Sequence, residues 1–433
     1  MANILIVYGA TRHPLRATNW SHLYSFRRYS GHYCYYLNML YPWKLYKNVP
    51  WYIKQIKFDL IIFHTTFMAS IRTIPHSVER LKKQAGILKQ ASAVKIALPQ
   101  DEYHNPKALN LFINEFNIDY LFSVAPEAEW PKLYSNVNFD NVKFTKILTG
   151  YLDEDVLTKI NELRHLVPSR SIDIGYRAFG IRHMLGRHGL LKIEIAHLFK
   201  HAAKDLVLDI STSLEDTFYG DEWYKFLLRC KYTVGVEGGA SVLDWDGSLR
   251  METEAYIRQH PQASFEEVEA ACFPECDGKL DLMAISPRHL EACATKTCQV
   301  LVEGDYNGIL SPGQHYIELK RDFSNIDDVI NIVKQDHRRA EITERAYHDI
   351  VESGQYTYHG FVKTILDKTL GPTDTSQKSA VLFWHWVIYK WTYFTDVLSW
   401  RVLATITPLV NALMATSLTG IIRRYRWHQA RRS

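Results

Sequence analysis

"VGVEGGASVLDWDG", residues 234–247, runs from an apolar stretch into a glycine pair and then two turn-forming aspartates. Glycine inside a regular element costs about 0.5–1 kcal/mol relative to alanine. Two in succession behind a buried-type strand predict a close approach, by another stretch of backbone or by a ligand. A short apolar run followed by open, polar chain is also the pattern that repeats on both sides of this stretch, and it decides the fold.

Upstream, "NILIVYGATRHP" opens the chain, and "FDLIIFHTT" (58–66), "AVKIALPQDEY" (93–103) and "IDYLFSVAP" (118–126) follow, with helical stretches such as "HSVERLKKQAGILKQ" between them. From residue 168 the alternation restarts with "PSRSIDIGYRAFG", "DLVLDIS", "YTVGVEGG", "TCQVLVEG" and "HYIELK". Apolar strands alternating with helical segments predict parallel sheets covered on both faces. The 433 residues exceed one typical core, so the fold class is α/β, with two Rossmann-like lobes and a helical C-terminal tail. The boundaries fall at 1–166, 167–370 with a polar insertion at 248–282, and a linker and tail at 371–433.

Hydrophobic residues at 47% and charged residues at 23% are ordinary globular values. A net charge of +4, without a run of Lys and Arg interleaved with aromatics before the C-terminus, argues against nucleic acid as a partner. The six cysteines are scattered and the chain opens on a core-like strand, which predicts free thiols in a reducing cytosol. Neither "CFPEC" nor "CATKTC" has the two-residue spacer of common zinc knuckles, and "DWDG" reads as a turn before the insertion, so no metal site is expected.

The tail has a different character. "AVLFWHWVIYKWTYFTDVLSW" carries four tryptophans, residues 402–422 carry no charge, and "RRYRWHQARR" follows. Aromatic crowding and flanking arginines suit the headgroup region of a bilayer. The expected location is therefore cytoplasmic, attached peripherally to the inner face of the cytoplasmic membrane.

In open parallel sheets, ligands bind outside the carboxyl ends of the strands. In the first lobe these ends carry residues 9–13, including His13, then His64-Thr65-Thr66, and then Gln100 to His104, including Asp101 and Glu102. In the second they carry Tyr176-Arg177 with Arg182 and Arg187 beyond, Glu237-Gly238-Gly239-Ala240-Ser241, and residues 303–308, including Tyr306 and Asn307. The first lobe offers carboxylates and histidines; the second offers cations and open backbone. Cations beside helix-start N–H groups suit a phosphate or pyrophosphate. On that reading "GVEGGAS" is a strand-to-helix turn whose backbone meets a nucleotide. Neither a Walker lysine nor the dinucleotide fingerprint is present.

"SPRHLEACATKTCQVLVEGDYNGIL" (286–310) resembles the C-terminal lobe of GT-B glycosyltransferases, in which a Leu-Glu-Ala segment opens a helix ahead of a strand. The stretch "GDYNGILSPGQHYIELKRDFSNIDDVI" is similar to the branch that includes spore-maturation-type and polysaccharide-cluster glycosyltransferases. The resemblance covers roughly residues 172–368, and reaches the first lobe only in strand order and "QDEY". It implies that Glu291 binds the ribose of a nucleotide-sugar donor and that Arg177, then Arg182, face its diphosphate. The glycine-pair segment and the 303–308 loop would line the same donor site. The usual small-residue turn reads Thr295-Lys296-Thr297, and the partner glutamate is missing, which leaves Arg288 as a further phosphate contact.

Transfer with inversion also needs a base for the acceptor hydroxyl proton. Asp101, Glu102 and His13 are the candidates, and adjacent residues on extended chain point opposite ways, so at most one of Asp101 and Glu102 reaches the substrate. The expected activity is sugar transfer from a nucleotide sugar to a glycan or lipid-linked acceptor in surface polysaccharide synthesis, without a cofactor or metal. A nucleotide-sugar epimerase and a non-catalytic polysaccharide-assembly protein remain alternatives, and homo-oligomer formation is left open.

Overall fold

The computed structural model describes every residue except 11–16, 41–48, 52, 74, 168, 181, 372–382 and 417–433. His13, most of the linker and the terminal arginine cluster lie outside the described residues. The first lobe is a six-stranded parallel sheet of β1 (Asn3–Tyr8), β2 (Tyr33–Asn38), β3 (Leu60–Phe63), β4 (Val94–Ala97), β5 (Tyr120–Ser123) and β6 (Lys143–Lys146), in the order β2-β1-β3-β4-β5-β6. Every residue of β3 is buried, as expected of a strand covered on both faces.

In the second lobe β7 (Ile172–Arg177), β8 (Leu208–Ser211), β9 (Cys230–Gly235), β12 (Cys298–Val302) and β13 (Ile317–Leu319) form a parallel sheet in the order β13-β12-β9-β7-β8. Two Rossmann-like lobes thus face each other, with a helix at the C-terminus.

Between β9 and β12 lies a separate antiparallel pair, β10 (Gly238–Ala240) with β11 (Leu282–Ala284). This corrects the reading of "GVEGGAS" as a strand-to-helix turn, because the next helix begins only at Ser248, after Gly247 in a left-handed conformation. Gly239 has φ 132°, and a Cβ on it would lie 1.8 Å from the carbonyl oxygen of Leu282. Half of the glycine requirement is therefore met by another backbone, the returning strand of the insertion.

The arm from β10 to β11 is fixed to the first lobe as well as the second. Asp244 donates its N–H to the Tyr103 carbonyl (2.9 Å) and its carbonyl accepts from Asn105 N (2.7 Å), while Lys107 N reaches the Trp245 carbonyl (3.0 Å). His104 Nδ1 meets Asp244 Oδ2 at 2.8 Å, with both side chains buried. Leu280 and Leu282 of the arm join the first lobe's core around Phe63, Phe67 and Phe112.

Two helices cross between the lobes. Helix Glu154–Leu166 packs Ile160 and Leu163 against Leu228, Leu290 and Cys293 of the second lobe. Helix Tyr358–Thr369, on the second-lobe side of the sequence boundary, instead packs Phe361, Val362 and Ile365 against Ile4, Ile62 and Phe122 of the first. All six cysteines are free.

Candidate functional site

The carboxyl ends of both sheets open onto one cleft of about 1060 Å³, which continues into an inner chamber of about 300 Å³ lined by the second lobe together with Asp101 and Tyr103 of the first. The larger volume already sits at the top of the roughly 300–1,000 Å³ expected of a small-ligand site. The lobes touch at the cleft floor, where Thr149 Oγ1 donates to the Ile285 carbonyl (2.7 Å).

On the first-lobe side, the loop after β4 is held from below by Arg72. Its buried guanidinium donates to the carbonyls of Gln100, Asp101 and His104. Three carbonyls gathered on one cation fix a loop that would otherwise be free to rearrange. Asp101 adopts φ 53°, is exposed, and lines both chambers. Glu102 turns the other way. It is fully buried, accepts hydrogen bonds from Tyr134 (2.6 Å) and Ser123, and lines neither chamber. Burial pushes its carboxyl up to about 7, against the opposing effect of those two hydrogen bonds. Of the adjacent acidic pair, only Asp101 faces the cleft.

On the second-lobe side, Arg177 lies at the cleft wall but is engaged within its own lobe. Its Nε donates to the Asp216 carbonyl (3.0 Å), one terminal nitrogen to the carbonyls of Tyr176 (2.9 Å) and Asp209 (2.8 Å), and the other to Asp209 Oδ1 (2.7 Å). The guanidinium is flanked by Phe218 at 4.8 Å and Phe226 at 4.5 Å. This arginine fastens the 212–220 loop to β8, leaving little donor capacity for a ligand.

The available cations lie beside it. Arg288 is exposed, lines both chambers, and makes a 2.5 Å bond to the Arg177 carbonyl while lying over the Trp223 ring. Arg182 is exposed on the inner chamber. Lys192, on helix Gly186–Ala202, lines the inner chamber too, and its ammonium forms no ion pair among the described residues. Burial pushes Lys192 down to about 8, the charges of Arg288 and Arg182 act the same way, and Asp101 opposes them. Sequence reasoning passed over Lys192. The signal was a lysine set directly between apolar residues in "GLLKIEIAHLF", a run that also carries Glu194 and His197.

These cations surround the start of helix Pro287–Ala294, where Ser286 and Arg288 line both chambers, Pro287 lines the larger one, and Ser286 makes no side-chain cap. A helix start with unsatisfied N–H groups carries a partial positive charge that favours an anion. The start of helix Gly186–Ala202, by contrast, is already capped. Asp277 of the insertion accepts from Arg187 N (3.2 Å) and from Ser241 Oγ (2.5 Å).

One turn along helix Pro287–Ala294, Glu291 lines the larger chamber and accepts a 2.7 Å hydrogen bond from Trp223 Nε1. Burial pushes its carboxyl up to about 7, offset in part by Trp223 and Arg288. Gly238 and Gly239 line both chambers.

The remaining predicted donor residues stand behind this wall. Glu237 is buried and accepts from Tyr306 N (2.8 Å), while a Cβ on Gly304 would meet its Oε2 at 2.4 Å. Ala240 is buried in the first lobe's core, and Ser241 is committed to Asp277. Tyr306 donates to the Val302 carbonyl (2.6 Å), and Asn307 Oδ1 accepts from Ile285 N (2.6 Å). None of these five lines either chamber; they hold the loops that do.

No family model matches this chain, and no curated protein matches it. Among solved structures, the chain is similar to HepE of Anabaena in complex with UDP, at 8% identity and TM-score 0.48, over 86% of this chain and 100% of that one. It is also similar to a DNA-modifying β-glucosyltransferase, at 10% identity and TM-score 0.47, over 85% and 99% of the two chains. TarM aligns at 13% identity and TM-score 0.40, over 75% of this chain and 57% of TarM. Superpositions this loose carry no residue correspondence, and the roles of the residues rest on this chain's own geometry.

Proposed function

We propose that the protein is a glycosyltransferase that moves a sugar from a nucleotide-sugar donor to a glycan or lipid-linked acceptor. The observation that carries this reading is the convergence of Lys192, Arg182 and Arg288 on the uncapped start of helix Pro287–Ala294, with Asp101 on the opposite side of the same opening. The inner chamber gives three cations and a helix start to a diphosphate. Glu291, one carboxylate oxygen held by Trp223, accepts from the ribose hydroxyls.

In the reaction, the acceptor hydroxyl oxygen forms a bond to the anomeric carbon. The bond from that carbon to the diphosphate oxygen breaks, and its electron pair leaves with the diphosphate. Asp101 takes the hydroxyl proton. Groups aimed in advance at developing charge supply the largest share of such catalysis, and here the charge grows on the departing diphosphate. Arg72 keeps Asp101 in place without touching substrate.

A thermal-shift screen with UDP, GDP, CDP and dTDP tests the donor site, since a ligand that binds only the native state must raise its unfolding temperature. One of the four is expected to stabilise the protein, and Arg288→Ala to lose that shift while unfolding normally alone. If none shifts it, the donor assignment fails and a non-catalytic role replaces it.

A further inference from the structure

Helix Phe383–Thr416 lies on the first lobe with two contrasting faces. Inward, Asp396 is buried and accepts hydrogen bonds from Tyr8 (2.8 Å) and Tyr24 (2.9 Å), with Arg27 at 3.7 Å. Trp400 stacks on Tyr8 and meets Trp20 edge-on at 5.0 Å, and Leu403 is buried. Tyr389 packs against Tyr33 and Tyr35 at the β2 edge. This face is a docked one, closed around a carboxylate.

Outward, Trp386, Trp391, Tyr393, Phe394 and Leu398 are each 45–54% exposed. At 100° per residue they fall on one side of the helix, together with the exposed Lys390 and Arg401. Asp396, the only acidic residue of the helix, points the other way. Contiguous exposed apolar surface of this kind marks an interaction site.

Three features of the chain identify the occupant. The exposed aromatics are accompanied by cations and no anions, as at a membrane interface. The sequence continues without charge through residues 402–422, and the next ten residues, "RRYRWHQARR", include five arginines. Among the described residues no helix is long and apolar enough to cross a membrane. A tryptophan-rich face bordered by basic residues fits a helix lying in the plane of a bilayer whose headgroups are negatively charged.

We infer that the outward face of helix Phe383–Thr416 binds an anionic lipid bilayer in plane while its inward face stays docked on the first lobe. Trp20, which touches Trp400, also lines the cleft, so docking holds one edge of the cleft beside the bilayer. Resting on the glycosyltransferase reading, this narrows the acceptor to a sugar carried by a lipid in that surface.

The test is co-flotation of the full chain with phosphatidylcholine vesicles, with and without phosphatidylglycerol. The chain floats with the mixed vesicles and remains below with pure phosphatidylcholine. A triple variant, Trp391→Ser, Phe394→Ser and Leu398→Ser, binds roughly tenfold or more weakly, with unchanged thermal unfolding. Wild-type protein that does not float with the anionic vesicles, or a variant that floats equally well, overturns the proposal. So does self-association in light scattering that the same substitutions abolish, which would give the face to a second copy of the chain. Flotation reads nothing from the cleft, so failure here leaves the donor assignment standing, and failure of the nucleotide screen leaves the surface standing.

Discussion

Arg72 in the first lobe and Arg177 in the second are the same device used at two walls of one cleft. Each is a buried arginine, Arg72 in the last turn of helix Thr65–Thr73 and Arg177 at the end of β7, whose guanidinium gathers backbone carbonyls. What each leaves exposed differs. Arg72 holds a loop from which the carboxylate of Asp101 projects, whereas Arg177 holds a loop beside Arg288, Arg182 and Lys192. An arginine at the end of a strand therefore does not by itself mark an anion site; the marking group is the cation whose donors remain available.

The largest expected break of this comparison is at Asp101. Replacing it as Asp101→Asn keeps the size and the loop but removes the proton acceptor, and turnover is expected to fall by roughly 10²–10⁴-fold. Nucleotide-dependent stabilisation should be retained. A variant with near-normal turnover in a coupled assay of nucleoside diphosphate release would move the base elsewhere, with His13 next in line.

Arg177→Ala comes second, and separates structure from binding. Removing it leaves the carbonyls of Asp209 and Asp216 and the Asp209 carboxylate without their partner, which is expected to cost about 3 kcal/mol of stability. Urea unfolding measures that loss. At a temperature where the variant is folded, its nucleoside diphosphate affinity should stay within a few-fold of wild type. A selective loss of affinity without a loss of stability would restore Arg177 as a ligand.

Lys192→Ala should show the reverse, with stability maintained and affinity lowered by about 10–100-fold, the equivalent of roughly 1.5–3 kcal/mol for a charged hydrogen bond. The smallest effect concerns pH. Lys192 loses its charge as pH rises through about 8, so diphosphate affinity should decline above that value. Glu291 gains a proton as pH falls through about 7, so the ribose contact weakens below it. Calorimetric titrations across this range should therefore show an optimum between the two, and Lys192→Arg should remove the alkaline fall. An affinity flat from pH 6 to 9 would exclude both groups.

The two lobes were legible in sequence wherever strands are aliphatic runs. β3 as "LIIF" and β12 as "CQVLV" carry a buried strand's signature without help from the rest of the chain. β2, "YCYYLN", was missed because its burial is aromatic, and β6, "KFTK", because it is a short edge strand with no fully buried residue. The β10–β11 pair joins a Gly-Gly-Ala segment to residues more than forty positions away, a pairing that no local pattern encodes. The site was legible to the level of which loops form it. Arg177 and Lys192 could not be told apart in sequence, because Asp209, Phe218 and Phe226, which occupy the arginine, come from a different strand, loop and helix. For the glycine pair, one of the two proposed neighbours is present, the Leu282 backbone against Gly239, and both glycines also line the cleft.

A crystal structure with the nucleoside diphosphate that gives the strongest thermal shift tests the central claim most directly. The account predicts the β-phosphate within hydrogen-bonding distance of Arg288 and Lys192, at the start of helix Pro287–Ala294, with Arg177 still bonded to Asp209 and Asp216. A diphosphate bound by Arg177 after release of those partners, or seated at the outer end of the cleft by Arg28 and Lys159, would contradict it.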